Sequence, residues 1–181
     1  EQLMEELRQL LHESKIPTIY VTHDQEEAFT IGDQLLLLNE GKIVQSDTPE
    51  NVYMKPKNIW VAKFFGLSNL ITGTVLSEDP FVVNTEIGEM RITRDYLPAY
   101  KTDENLNLLL RPDSLMISED KENGFEALIV DNVFLGKQWQ AKVRIKDKEL
   151  HFLIDTRLKI GNIYKISINN KKINIWSENN A

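Results

Sequence analysis

Eleven consecutive residues hold the chain's most informative group of reactive side chains: Thr18-Ile19-Tyr20-Val21-Thr22-His23-Asp24-Gln25-Glu26-Glu27-Ala28. The β-prone Thr18–Val21 predicts a short buried strand. Polar residues follow it, with His23 at the turn. Asp24 with Glu27 three residues on has the capping-box spacing, so a helix is predicted to run from there to about Ile31 and stop at Gly32. A side chain beyond the carboxyl end of a strand is where α/β sheets contact ligands. From that position His23 can donate a hydrogen bond to a phosphate oxygen and orient a water. A charge-assisted bond of this kind contributes about 1.5–3 kcal/mol. Asp24 reads as the helix cap rather than as a base, and Glu26 and Glu27 are accounted for by capping and the helix dipole.

The elements that must hold this turn are legible on both sides of it. Leu3, Met4, Leu7, Leu10 and Leu11 recur at helical spacing and predict an amphipathic helix over residues 1–13. Residues 34–38 and 42–45 predict two strands joined by the turn Asn39-Glu40-Gly41. Thr48-Pro49 marks a helix start, with Thr at the cap and Pro in the first turn. A further short helix is predicted over about residues 59–65. Beyond Gly66 the pattern changes to ten short β-type runs separated by turn residues: 70–76, 81–83, 89–93, 106–111, 114–117, 125–135, 138–145, 149–154, 163–168 and 172–176. Runs of that length and spacing suggest a small barrel or sandwich.

Composition limits the function classes. The 181 residues carry a net charge of -7, against the clustered basic surface of a nucleic-acid binder. There is no Cys, which removes disulfide frameworks and thiolate metal sites. No apolar run reaches the roughly 18 residues of a spanning helix. The sequence opens at Glu1, already inside a helical pattern and without Met, which reads as a cut end.

The Thr18–Ala28 stretch resembles the switch, or H-loop, region of ABC-transporter ATPases. The likeness continues through Asp33-Gln34-Leu35-Leu36-Leu37-Leu38-Asn39-Glu40-Gly41-Lys42-Ile43-Val44-Gln45, then Thr48-Pro49-Glu50-Asn51-Val52-Tyr53. It ends with Val61-Ala62-Lys63-Phe64-Phe65-Gly66 and Asn69. Leu109-Leu110-Arg111-Pro112-Asp113-Ser114-Leu115 and Phe134-Leu135-Gly136 are similar to the OB-like regulatory (TOBE) domain that follows the ATPase core in importers. The resemblance implies an α+β chain: residues 1–66 a remnant of an α/β P-loop ATPase domain, residues 67–181 an all-β OB-like barrel. It implies that His23 is the catalytic switch histidine contacting the nucleotide γ-phosphate. It also implies that the parent subunit binds ATP and Mg, pairs with a second copy, drives transmembrane permease subunits and works at the cytoplasmic face of the membrane.

Equally telling are the motifs that this stretch of sequence lacks. It has no G-x-x-x-x-G-K-[ST] loop, no apolar strand ending in Asp-Glu and no L-S-G-G-Q-like signature. Without that electrostatic clamp the chain alone is expected to be inactive and to hold no cofactor or metal. The alternative reading is a stand-alone regulatory module that binds a small anion or a partner protein. Arg111 beside Pro112 reads as a turn pin before an anion ligand, and Trp139 and Trp176 as packing residues before stacking platforms. Lys171-Lys172 reads as a solvated pair. The ATPase-like part, lacking a covering sheet, is expected to self-associate.

Overall fold

The computed structural model describes residues 2–93, 99–118 and 124–178. The chain divides into two compact units, Glu1–Gly66 and Leu67–Ala181.

The first unit runs α1 (Gln2–Ser14), α2 (Gln25–Ile31), β1 (Leu35–Asn39), β2 (Lys42–Asp47), α3 (Pro49–Met54) and α4 (Ile59–Phe64). Three of the four helices start at a side-chain cap that satisfies an otherwise orphaned N–H. Asp24 accepts from Glu26 and Glu27, Thr48 from Asn51, and Asn58 from Val61. Strands β1 and β2 form an antiparallel hairpin in which Asn39 faces Lys42. Its two turn residues, Glu40 and Gly41, both have positive φ (49° and 74°), the backbone of a type I′ turn. Leu35 and Leu37 point from β1 into a small core with Val52 and Val61, bordered by Ala28, Phe29, Val44, Trp60 and Phe65. The alternating Leu36 and Leu38 are 57% and 66% exposed on the opposite face.

One sequence expectation is corrected here. Residues 18–21 form no strand, and Ile19 and Val21 are 92% and 88% exposed. The residue types are right for a buried strand, but a strand needs a neighbour to pair with. Among the described residues of this unit the β1–β2 hairpin is the one sheet, and it does not pair with them.

The second unit consists of two five-stranded antiparallel sheets. One has the order β12-β6-β3-β4-β5 and the other β10-β9-β8-β11-β7. In chain order the strands are β3 (Leu70–Glu78), β4 (Phe81–Thr85), β5 (Gly88–Arg91), β6 (Asn105–Leu110), β7 (Leu115–Ile117), β8 (Phe125–Phe134), β9 (Trp139–Ile145), β10 (Lys148–Ile154), β11 (Ile163–Ile168) and β12 (Ile173–Ser177). Register shifts at Val75/Ser77 in the β3–β4 pair and at Ile129/Asp131 in the β8–β9 pair bend the sheets, as bulges do. The result is the curled, OB-like form of a small β domain. One hydrophobic core joins both sheets, with Ile71, Val75 and Leu108 contributed by the first and Ile129, Val143 and Phe152 by the second. Together the units make an α+β chain. No helix among the described residues is long and apolar enough to cross a membrane.

The sheets are also stitched by polar groups. Strand β10 is an edge strand, and the outward N–H and C=O of His151 are both taken by one side chain, Asn69. Its Nδ2 donates to the His151 carbonyl at 2.6 Å, and its Oδ1 accepts from the His151 N–H at 2.8 Å. Two residues further along the same edge, the Leu153 N–H donates to the Pro112 carbonyl. An edge that would otherwise offer a free row of groups is thereby closed.

Candidate functional site

His23 lies in a bend immediately before α2, exposed, and makes no hydrogen bond among the described residues. Its neighbours on both sides are fixed. The Asp24 carboxylate caps α2, accepting from the N–H groups of Glu26 and Glu27 at 2.8 and 3.1 Å. The Asp24 N–H donates to the Thr22 hydroxyl oxygen at 2.9 Å, and that hydroxyl donates to Glu27 Oε2 at 2.6 Å. The same Glu27 oxygen accepts from the Tyr20 hydroxyl at 3.0 Å. The Glu27 carboxylate, chiefly through this bond, holds the Tyr20 phenol above its ordinary range. Tyr20, Thr22, Asp24 and Glu27 therefore form one short network around the backbone of His23.

This arrangement differs from the expected capping box. There, the Glu27 side chain would reach back to the Asp24 N–H. Here Thr22 takes that N–H and passes the connection on to Glu27. The reason is geometric: Thr22 sits two residues before Asp24 and forms the local turn bond typical of Thr, which leaves Glu27 free to accept from two hydroxyls. Tyr20 and Thr22 were not singled out from sequence. The available signal was their spacing of two, which puts both hydroxyls on one side of an extended segment facing a carboxylate in the first helical turn.

Gln25, the first residue of α2, donates from its side-chain amide to the carbonyl of Phe64, the last residue of α4. Phe29 of α2 packs against Tyr53 and Phe65, with ring centroids 6.0 and 5.2 Å away. Helix α2 is thus anchored to α3 and α4 rather than projecting freely. An open depression between α1 and α2 is lined by Glu5, Arg8, Gln9, His12, Phe29 and Thr30, and His23 is not part of it.

In the second unit Arg111 is 2% exposed, with its Nε 3.7 Å from the Asp113 carboxylate. Asp113 also pairs with Lys172 at 2.6 Å, so Lys172 is not simply solvated. Desolvation opposes ionisation of Asp113, yet the bond from Lys172 and the nearby charges of Lys172 and Arg111 hold its pKa below the ordinary range. This fits a pinned turn. Trp139 packs against Phe134 at 5.1 Å, and the Arg157 guanidinium lies 5.3 Å over its ring. The described residues hold no group of three or more His, Cys, Asp or Glu placed for a metal.

Comparison with known proteins points to a class: this chain is similar to the C-terminal part of the ATP-binding subunits of bacterial ABC importers. The particular relatives are spermidine/putrescine import ATP-binding proteins (PotA). That of Mesoplasma florum is 32% identical over 178 residues, 97% of this chain and 50% of the relative. That of Haemophilus influenzae is 35% identical over 160 residues, 84% of this chain and 42% of the relative. That of Clostridium novyi is 29% identical over 175 residues, 96% of this chain and 48% of the relative. The chain spans about half the length of the curated relatives it matches. No family model matches it. Among solved structures, the cytoplasmic molybdate-binding protein ModG aligns with a TM-score of 0.49 at 10% identity, covering 60% of this chain and 94% of ModG.

Proposed function

We propose that this chain is the switch and regulatory part of a subunit that powers solute import by ATP hydrolysis. His23 is the group that contacts the γ-phosphate in that reading, and residues 67–181 form the regulatory domain. One observation carries the proposal: the likeness to the PotA relatives runs along 97% of the chain, through the His23 turn and on into the β unit. The exposure of Ile19, Val21, Leu36 and Leu38 supports it, since these side chains have the composition of a core but lack a cover among the described residues. In the proposed parent, the half outside this chain supplies that cover, together with the phosphate loop and the Mg-binding carboxylates.

A complete subunit of this kind binds ATP and Mg, pairs with a second copy of itself and couples to transmembrane permease subunits at the cytoplasmic face. Polyamine is the solute that the names of the relatives suggest. At the switch turn, an imidazole N–H of His23 donates to a phosphate oxygen where charge builds in the transition state. Arg111, the residue weighed as an anion ligand, is buried beside Asp113, which favours its reading as a turn pin.

The test supplies the upstream half of a PotA relative in one polypeptide with this chain and measures phosphate release from ATP. Hydrolysis that needs the upstream half and falls at least a hundredfold in His23→Ala supports the reading. Hydrolysis indifferent to His23→Ala overturns it.

A further inference from the structure

We propose that Glu27 is the positioning residue of the switch turn, acting on His23 through the Thr22 hydroxyl. The inference rests on the reading of His23 as the phosphate-contacting group and adds the element that aims it. An exposed histidine on a bend has free backbone dihedrals on both sides, and an aimed donor requires both to be fixed.

The structure fixes them with a short relay. After His23, the Asp24 carboxylate is committed to two helix N–H groups, so Asp24 cannot rotate without uncapping α2. Before His23, the Thr22 hydroxyl accepts from the Asp24 N–H, closing a tight loop whose middle residue is His23. That hydroxyl can accept from Asp24 only when its own proton points elsewhere, and Glu27 Oε2, at 2.6 Å, receives it. The carboxylate thereby sets the direction of the hydroxyl, and the hydroxyl sets the loop. Tyr20 donates to the same oxygen at 3.0 Å and holds the carboxylate from its other side. Capping does not explain this placement, because the cap is made by Asp24 and the Asp24 N–H donates to Thr22 instead of to Glu27.

An oxygen acceptor at position 27 is what the relay needs, and Gln keeps one. The experiment uses the complete subunit assembled with its permease, with ATP as substrate. It compares His23→Ala, Glu27→Ala, Glu27→Gln, Thr22→Val and the double variant Glu27→Ala/Thr22→Val. The expected result is a fall in kcat of about tenfold for Glu27→Ala and for Thr22→Val, with the KM for ATP within about twofold of the parent. The double variant falls no further than either single one, since both break the same relay. Glu27→Gln recovers most of the rate. A purely structural role would lower the melting temperature without this split between kcat and KM and without the non-additivity. If His23→Ala is inactive while Glu27→Ala and Thr22→Val turn over at the parental rate, the positioning role is overturned and the His23 reading stands. If Glu27→Gln falls as far as Glu27→Ala, the acceptor argument is wrong. If His23→Ala turns over normally, the underlying reading fails instead.

Discussion

Replacing Asn69 with Ala removes the one side chain that satisfies both outward backbone groups of His151 on the edge strand β10. Asn69 is 2% exposed, and its partner lies 82 residues away in sequence. Ala leaves the His151 N–H and C=O without protein partners. A buried group left unsatisfied costs about 1–3 kcal/mol. His151 is half-buried, so water recovers part of this, and the two groups together set Asn69→Ala at about 2–3 kcal/mol. Asn69→Asp is expected to do at least as much damage, because it keeps the acceptor for the His151 N–H but turns a carboxylate oxygen toward the His151 carbonyl. Urea unfolding followed by tryptophan fluorescence measures the loss, read as a lower midpoint at unchanged slope. At roughly 4 °C per kcal/mol for a unit of this size, the melting temperature falls by about 10 °C. Asn84→Ala, on the exposed side of β4, is the control and stays within about 0.5 kcal/mol. An Asn69→Ala variant as stable as that control would refute the reasoning, and with it the reading of Asn69 as the closure of this edge.

Three further outcomes are expected. Lys142 and Arg144 both bond the Glu149 carboxylate and hold its pKa at about 2 instead of 4.5. A lowered carboxylate pKa stabilises the fold above the unfolded group's range, and the contribution is lost as pH falls from about 4.5 toward 2. The stability difference between the parent and Glu149→Gln should therefore shrink over that window in acid titrations of the urea midpoint; a constant difference would disprove the assignment. Gly73→Ala would place a Cβ 2.7 Å from Val83 Cγ1 and 2.9 Å from the Asn84 carbonyl. It should destabilise by about 1–3 kcal/mol by overpacking, opposite in sign to the usual gain from replacing a strand glycine, and thermal melts decide the sign. Finally, the open face of β1 and β2, with Leu36, Leu38 and Ile43 all more than half exposed, should make the isolated chain self-associate. Leu36→Lys/Leu38→Lys should reduce the mass seen by light scattering, and a clean monomer for the unmodified chain would count against the idea.

Where a segment carries its own partners, its sequence was enough to read it. The α2 cap at Asp24, the α3 cap at Thr48 and the hairpin turn at Glu40-Gly41 all depend on residues within a few positions of one another. The ten β-type runs after Gly66 correspond to the strands β3–β12 to within one or two residues at most ends. What the sequence did not disclose was their pairing. Strand β12 lies beside β6, and β11 lies between β8 and β7. Nothing in a run such as Ile173–Ser177 names its neighbour, because alternation specifies a face and not an edge partner. At the turn before α2, Asp24 was readable for the same local reason. The Thr22–Glu27 bond was not, since a Glu in a first helical turn is equally compatible with the dipole, the cap or a neighbouring hydroxyl.

Segment 18–21 failed for a reason that also bears on function. Leu106, Leu108 and Leu110 in β6 and Ile19 and Val21 in the segment before His23 are similar apolar residues, yet the first three are at most 1% exposed and the other two are almost fully so. Apolar pattern states what has to be covered and not what covers it. The second unit contains its own cover, both sheets contributing to one core. Among the described residues of the first unit Ile19 and Val21 have no such cover, and they lead directly into the turn at His23. Two kinds of order are therefore separable around His23. The Tyr20–Glu27–Thr22–Asp24 network is local and shapes the turn without any partner, whereas residues 18–21 would take up a strand only in the completed sheet of the proposed parent. Under the proposed reading of His23, a completed sheet would deliver an already shaped turn to the phosphate instead of having to build one, which would lower the ordering cost that binding must overcome.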